Sequence, residues 1–306
     1  MSRYLARRLA VSVAVVLGVL VLTFSMLRFA PGDPVIAMFG RQVATPERLD
    51  ELRSRLGLDD PLPLQFLDYV SDVATGDLGV SIQTRRPVAD AIIEQLPGTI
   101  ELMVAAMVVS IVIGIPVGVL TAVREGTASD SITTVVGIGL VSIPSFWLGL
   151  LLILLFSVGL GWLPATSTAG DVGGLVLPAL TLGLPGGALL ARLIRSSMLE
   201  VLAAPHLTAA RARGLGPARV TYYAFRNAVV PVVTIIGLQV GYLLAGSVIV
   251  ETIFARQGIG RLAVDSIARQ DFPTAQGVVM VGAVGYVVVN TLTDLLHRWL
   301  DPRVRL

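Results

Sequence analysis

Few residues of this chain could carry out covalent or metal chemistry. The sequence has no cysteine and only two histidines, His206 and His297, which lie far apart along the chain. Cysteine nucleophiles, thiolate metal sites and disulfides are therefore excluded, and the histidines lack the spacing of a zinc-binding pair. We expect no catalytic residue, metal site or cofactor in this chain, which argues against a membrane-embedded enzyme.

Nucleotide hydrolysis by a P-loop is also excluded. That motif needs a lysine, and all 23 lysine-plus-arginine positions are arginine. The glycine-containing string GDLGVS does not match a phosphate-binding fingerprint either. The chain therefore cannot hydrolyse nucleotide by that route.

The composition identifies the elements that position the remaining polar groups. The chain has 306 residues, of which 54% are hydrophobic and 14% charged, as in a membrane protein. A helix needs about 20 apolar residues to cross a bilayer. We expect an all-α membrane protein with six transmembrane helices, at 9–27, 102–123, 132–160, 175–194, 228–250 and 275–296. The first is expected to be retained, because PGDP at 31–34 follows it instead of a cleavage site.

The arginines orient these spans. With the N-terminus in the cytoplasm, thirteen arginines fall in short inward segments, and only Arg256, Arg261 and Arg269 fall in short outward loops. The other seven lie between Arg28 and Arg86, in a segment too long for the positive-inside rule to apply strictly. Both termini are predicted cytoplasmic, and the small net charge of +2 reflects topology, with no nucleic-acid partner expected.

The chain then divides into four predicted parts. Residues 1–28 form the cytoplasmic N-terminus and first span, and 29–98 form a small extracytoplasmic subdomain with a helical pattern at 46–58. Residues 99–296 hold the other five spans with a cytoplasmic loop at 196–228, and 297–306 form a cytoplasmic tail.

Polar residues within the spans are candidates for lining a transport pathway. Polar groups at membrane depth face protein or water, so hydrogen bonds between helices are the alternative role. Ionisable groups are nearly absent from mid-span, since Glu251 and Asp294 lie near span ends, which argues against a proton-coupled secondary carrier or channel. The candidates are Ser142, Ser145, Gln239 and Asn290.

Glycine and proline mark places where the spans pack closely or bend. Gly114 with Gly118, and Gly237 with Gly241, have the GxxxG spacing of close helix contacts. Such a contact could lie within this chain or with another subunit. Prolines permit kinks that can open a cavity, and those within the spans are Pro116, Pro144, Pro178 and Pro185.

The cytoplasmic loop has the most specific pattern. It reads TAARARGLGPARVTYYAFRNAVVP from 208 to 231. The alanines favour helix, Gly214 and Gly216 interrupt it, and Pro217 can begin a second helix. The sequence therefore predicts a helix, a turn and a second helix, which form a compact arginine-bearing projection.

This loop resembles the signature loop of ABC importer permeases, in which an EAA sequence and a glycine precede a proline. Thr208 stands where glutamate is usual, and the longer spacing from Gly214 to Pro231 resembles the dipeptide, oligopeptide and nickel family. Further resemblance to the first permease of that family, the DppB/OppB type, lies in PGDP, LGLDDPLPLQF, GDLGVS, SIPSFWLGL, LPALTLGLP, GSVIVETIF, GIGRL and DPRVRL. The family more often has a proline just before Gly258, where this chain has Arg256 and Gln257.

The resemblance implies a type I ABC importer permease fold in a bacterial cytoplasmic membrane. It implies a second permease of the DppC/OppC type, two ATPases that bind ATP and Mg, an extracytoplasmic binding protein and a peptide substrate. Nickel, haem or another small solute is an alternative cargo. The coupling helix that contacts an ATPase would comprise Ala209, Ala210, Arg211, Ala212, Arg213, Gly214 and Leu215.

Overall fold

The computed structural model describes residues 2–29, 59–168 and 170–300. Regular structure in these residues is helical, apart from an isolated bridge between Val80 and Pro87. The motifs at 31–34 and 301–306 and the predicted helix at 46–58 lie outside the described residues. The elements are α1 Ser2–Phe29, α2 Leu62–Thr75, α3 Val88–Val123, α4 Ala128–Ser142, α5 Ser145–Leu152, a π-helix Ile153–Gly159, α6 Val172–Leu202, α7 Pro205–Ala212, α8 Pro217–Ala228, α9 Val230–Ile253, α10 Ile259–Ala268 and α11 Phe272–Leu300.

The predicted all-α membrane architecture is confirmed. Helices α3 and α6, with Ile235–Ile253 of α9 and Phe272–Thr293 of α11, are long and apolar enough to cross a membrane. The pair of α4 with the helix over Ser145–Gly159 could provide a fifth span, and the apolar part of α1, Ala10–Met26, is shorter. The described residues thus hold four or five such spans, and the count of six stays a prediction.

The expected span at 132–160 is not one straight helix. It consists of two helices bent by 111° between Ser142 and Ser145, which form either a broken span or a re-entrant loop. The cause is Pro144, because a residue before proline is disfavoured in the helical region. Ile143 is accordingly extended, with ψ of 127°. By contrast, α6 continues through Pro178 and Pro185.

The chain forms two compact units. One comprises residues 1–97 and 258–287, and the other comprises residues 98–257 and 288–306. Helix α3 begins at Val88, inside the segment 29–98 that is predicted to be extracytoplasmic.

In the first unit, α1 packs against α2. The hydroxyl groups of Thr23 and Tyr69 lie 2.9 Å apart, and burial raises the pKa of the Tyr69 phenol, although the Thr23 bond lowers it. The carboxylate of Asp271 accepts hydrogen bonds from the Ser81 hydroxyl at 2.5 Å and the Ile82 amide at 3.0 Å. These bonds fix the GDLGVS segment to the start of α11.

In the second unit, α6 is the central helix and contacts α4, α5, α7, α8 and α9. Close packing against α3 depends on glycine, since a Cβ at Gly114 would lie 2.6 Å from the Gly187 carbonyl oxygen. A Cβ at Gly118 would likewise lie 2.6 Å from the Ala191 carbonyl oxygen. Gly237 packs against Thr293, so three glycines of the two predicted motifs serve contacts within this chain.

Candidate functional site

The loop between α6 and α9 folds as the predicted helix, turn and helix. Both helices begin with a proline, Pro205 in α7 and Pro217 in α8. A proline in the first helical turn loses no hydrogen bond, because the N–H there has no intrahelical partner. We call residues 205–228 the helix-turn-helix.

The turn is made by Gly214, which has a left-handed φ of 86°. Its amide donates to the Arg211 carbonyl at 2.9 Å, and the Leu215 amide donates to the Ala210 carbonyl at 3.2 Å. These bonds satisfy carbonyls that the end of α7 leaves open. A Cβ at Gly214 would meet no atom within 4 Å, so the turn requires glycine for its backbone conformation and faces open space.

Apolar side chains fix the helix-turn-helix to the spans. Helices α7 and α8 each turn one apolar edge inward, onto residues of α3, α6 and α9. Removing a leucine, isoleucine, valine or methionine side chain from water stabilises a fold by about 1.5–3 kcal/mol as an upper estimate, and an alanine side chain contributes less. The buried cluster comprises Ala122, Leu190, Ile194, Met198, Leu207, Ala224, Ala228 and Val232.

The other face of the helix-turn-helix is exposed. Of the seven predicted coupling residues, Ala210 and Leu215 are half-buried and the other five are exposed. Tyr222 and Tyr223 of α8 are 60% and 45% exposed, with ring centroids 5.8 Å apart. Arginine and tyrosine are enriched in protein interfaces, so this face has the composition of a protein-binding surface on a rigid base.

Comparisons with known proteins agree with this arrangement. Residues 114–306, which include the whole helix-turn-helix, match the family described as "Binding-protein-dependent transport system inner membrane component". Residues 1–103 match "Binding-prot-dependent transport system membrane comp, N-term". The chain belongs to this family of membrane transport components. The predicted resemblance to ABC importer permeases of the DppB/OppB type is confirmed.

Similar curated proteins extend over the full chain. The "Di/tripeptide transport system permease protein DppB" of Pseudomonas aeruginosa (strain UCBPP-PA14) is 40% identical and aligns with 100% of this chain and 99% of its own length. The "Glutathione transport system permease protein GsiC" of Escherichia coli (strain K12) is 37% identical, with the same coverage of both chains.

Solved structures support the fold alone. An inward-facing structure of the MetNI methionine ABC transporter matches with a TM-score of 0.57 and 18% identity. The match covers 69% of this chain and 96% of that chain. The predicted type I ABC permease fold is thereby confirmed.

The four candidate pathway residues occupy different environments. Ser142 and Ser145 flank the bend between α4 and α5, and Asn290 is half-buried in α11. Gln239 is buried in α9, and its amide nitrogen donates to the Gly186 carbonyl of α6 at 2.8 Å. A role in a pathway stays a prediction for all four.

A partly buried ion pair between α6 and α4 was not anticipated from the sequence. The Arg195 guanidinium donates two hydrogen bonds of 2.8 Å to the Asp130 carboxylate, which joins α6 to the first turn of α4. The Thr127 hydroxyl accepts from the Asp130 amide at 3.4 Å, so Thr127 caps α4. The sequence T-x-x-D signals this cap, but it does not reveal the arginine partner.

Charged residues at the far end of α9 were also missed. Arg256 and Glu251 are each 0% exposed, although the charge count placed Arg256 in an outward loop. The Arg256 guanidinium pairs with Glu101 of α3 at 2.6 Å. No signal in the local sequence identifies this partner.

Metal-ligand side chains do not converge in the part of the chain that the structure describes, where no group of three or more histidine, aspartate or glutamate residues could hold an ion. His206 is exposed at the start of α7.

Proposed function

We propose that this chain is the permease subunit of an ATP-driven importer of short peptides. It would form half of the translocation pathway with a second, homologous permease, while two separate ATPases hydrolyse ATP. The observation that carries this proposal is the exposed segment from Ala209 to Leu215, which stands on a buried apolar base continuous with α6 and α9. Such a projection can transmit movement of a bound ATPase to the spans.

The binding protein would deliver substrate to the side opposite the helix-turn-helix. Short peptides are the favoured cargo because the cargoes named in the relatives, dipeptides, tripeptides and glutathione, are all short peptides. Nickel and haem are the alternative cargoes that the experiment below distinguishes from peptides. The chain itself would be non-catalytic.

The decisive experiment is co-expression with candidate ATPases, a second permease and a binding protein, followed by uptake into proteoliposomes. A labelled dipeptide should accumulate only with ATP, and unlabelled tripeptide should compete with it. Competition by nickel or haem but not by peptides would overturn the substrate class. Failure of any ATPase to co-purify would overturn the assignment as a coupled permease.

The proposed location is a bacterial cytoplasmic membrane, with both termini and the helix-turn-helix in the cytoplasm. The chain has no cysteine, so single cysteines report sidedness directly. Ser54→Cys should react with an impermeant maleimide on intact cells, whereas Ala218→Cys should react only after the membrane is opened. Equal labelling of the two variants on intact cells would contradict this orientation.

A further inference from the structure

Helix α9 connects two differently built regions of the second unit. It begins at Val230, directly after α8 of the helix-turn-helix, and ends at Ile253. Its 24 residues span about 36 Å at 1.5 Å per residue. Because α9 is one continuous helix, a movement of the helix-turn-helix would be carried along it to Ile253. It would pass beyond α9 only if the following residues are firmly bound to neighbouring segments.

The chain turns sharply at that far end. Ala255 adopts a left-handed φ of 50°, a conformation that is strained for a residue with a Cβ and that usually falls to glycine at a helix end. The turn brings the Arg256 amide back to the Glu251 carbonyl at 2.8 Å. Such strain persists only where surrounding contacts enforce it.

The Arg256 side chain supplies those contacts. It is fully buried, and its guanidinium donates to the Ser167 hydroxyl at 2.7 Å and the Thr168 carbonyl at 3.1 Å. It also pairs with the Glu101 carboxylate at 2.6 Å and donates to the Gly98 carbonyl at 3.4 Å. One side chain thus links the end of α9 to α3 and to the loop before α6.

The same segments are joined a second time without Arg256. The Thr99 hydroxyl donates to the buried Glu251 carboxylate at 2.6 Å, and the Ser167 amide donates to the Phe254 carbonyl at 2.9 Å. We call residues 98–101, 167–168 and 251–256 the distal clasp. Four of its polar side chains, those of Thr99, Ser167, Glu251 and Arg256, are buried. These hydrogen bonds are made to groups of the clasp itself, which suits an internal joint better than a ligand site.

We propose that Arg256 is a positioning residue that makes the distal clasp follow α9 as one body, so that movement of the helix-turn-helix is delivered to the loop over residues 161–168. This inference rests on the proposed function for its role in transport. Arg256 is suited to the task because its planar guanidinium holds several acceptors in fixed directions. Energetic coupling of this kind travels through rigid elements and hydrogen-bonded networks.

The clasp can be tested on the purified chain alone. Ser167 is 1% exposed, so Ser167→Cys introduces a single buried thiol into a cysteine-free chain. Adding Arg256→Gln should raise its rate of maleimide labelling at least about tenfold, which corresponds to about 1.4 kcal/mol in the opening equilibrium. The matched control is Arg261→Gln, since Arg261 pairs with Asp265 at 3.6 Å on a partly exposed helix face. An unchanged labelling rate in Arg256→Gln would overturn the clasp.

A milder variant covers the case in which Arg256→Gln does not fold. Glu101→Gln keeps the shape of the side chain and one acceptor oxygen but removes the ion pair, so labelling of Ser167→Cys should rise by a smaller factor. If labelling does not rise in Glu101→Gln, the proposal is wrong. Ala255→Gly should leave labelling as slow as in Ser167→Cys alone, because it relieves backbone strain and removes no further side-chain contact of Arg256.

The transport role needs the assembled complex. Peptide moved per ATP hydrolysed should fall at least about fivefold in Arg256→Gln, as for the loss of an allosteric coupling, and Arg256→Lys should recover part of it. A purely structural role would lower uptake and ATP hydrolysis together, and that result would overturn the positioning role. If the unaltered complex moves no peptide, the proposed function fails, whereas the labelling result still decides the clasp.

Discussion

The regions before and after α9 use the same chemistry in opposite ways. In the helix-turn-helix before α9, Gly214 makes a left-handed turn in open space, and Arg213 beside it is exposed. After α9, Ala255 makes a left-handed turn, and Arg256 beside it is fully buried by its own chain. An exposed arginine on a rigid base is available to a partner, whereas a buried and paired arginine serves the fold around it. The difference favours the two proposals made above, an ATPase interface at the first region and an internal joint at the second.

The largest effect should come from removing the buried arginine. Arg256→Met should lower the free energy of unfolding by about 3 kcal/mol, because it leaves the buried Ser167 hydroxyl and Gly98 carbonyl without their donor. Arg213→Met, at the exposed turn, should change it by less than about 0.5 kcal/mol. Denaturant unfolding of the purified chain in detergent measures both. A similar loss of stability in the two variants would contradict the contrast between the two regions.

The second largest effect should come from disturbing the packing of α3 against α6. Gly114→Ala would bring a Cβ to 2.6 Å from the Gly187 carbonyl oxygen and 3.0 Å from the Leu190 Cβ, which should cost about 1–3 kcal/mol through overpacking. Gly139→Ala is the control, since its Cβ would meet no atom within 4 Å and helix propensity favours alanine. Thermal unfolding of both variants provides the test, and equal stability would contradict the close packing of α3 on α6.

A third change strains the exposed turn. Gly214→Val should cost roughly 1–2 kcal/mol, because a residue with a Cβ is disfavoured at a φ of 86°. Gly214→Asn should cost less, since asparagine tolerates the left-handed region. Uptake by the assembled complex should follow the same order, with valine lowest. If valine matches glycine in uptake, the conformation of this turn does not matter for coupling.

The smallest effect should be a gain. Ala255→Gly should stabilise the chain by about 0.5–1 kcal/mol, because glycine adopts the left-handed conformation without the Cβ clash, less the cost of its greater freedom when unfolded. A loss of stability would indicate that the Ala255 methyl group contributes more through packing than its backbone strain costs.

Local features of the molecule were predictable from the sequence, and distant pairings were not. The helix-turn-helix follows from Gly214, Pro205 and Pro217, whose preferences act within a few residues. The spans follow from composition. The size of the bend at Pro144 depends on what packs around it, and proline alone gives only its position, as the unbroken α6 with Pro178 and Pro185 illustrates.

Arg256 shows why the remainder was missed. Counting charges loop by loop treats every arginine as solvent-exposed, whereas Arg256 is buried. Its partners Glu101 and Ser167 lie far away in the sequence, so no local pattern identifies them. A hydrogen bond between helices was one of the two roles expected for Gln239, because a polar group in a span needs a partner. Its acceptor, the Gly186 carbonyl, is known only from the packing of α6 and α9.

The central claim, that the segment from Ala209 to Leu215 contacts an ATPase, is tested most directly by cross-linking in the assembled complex. A photoactivatable reagent on Ala212→Cys should join this chain to the ATPase subunit. The same reagent on Trp162→Cys, a position 70% exposed in the loop that precedes α6, should not. Cross-linking from Trp162→Cys but none from Ala212→Cys would contradict the account.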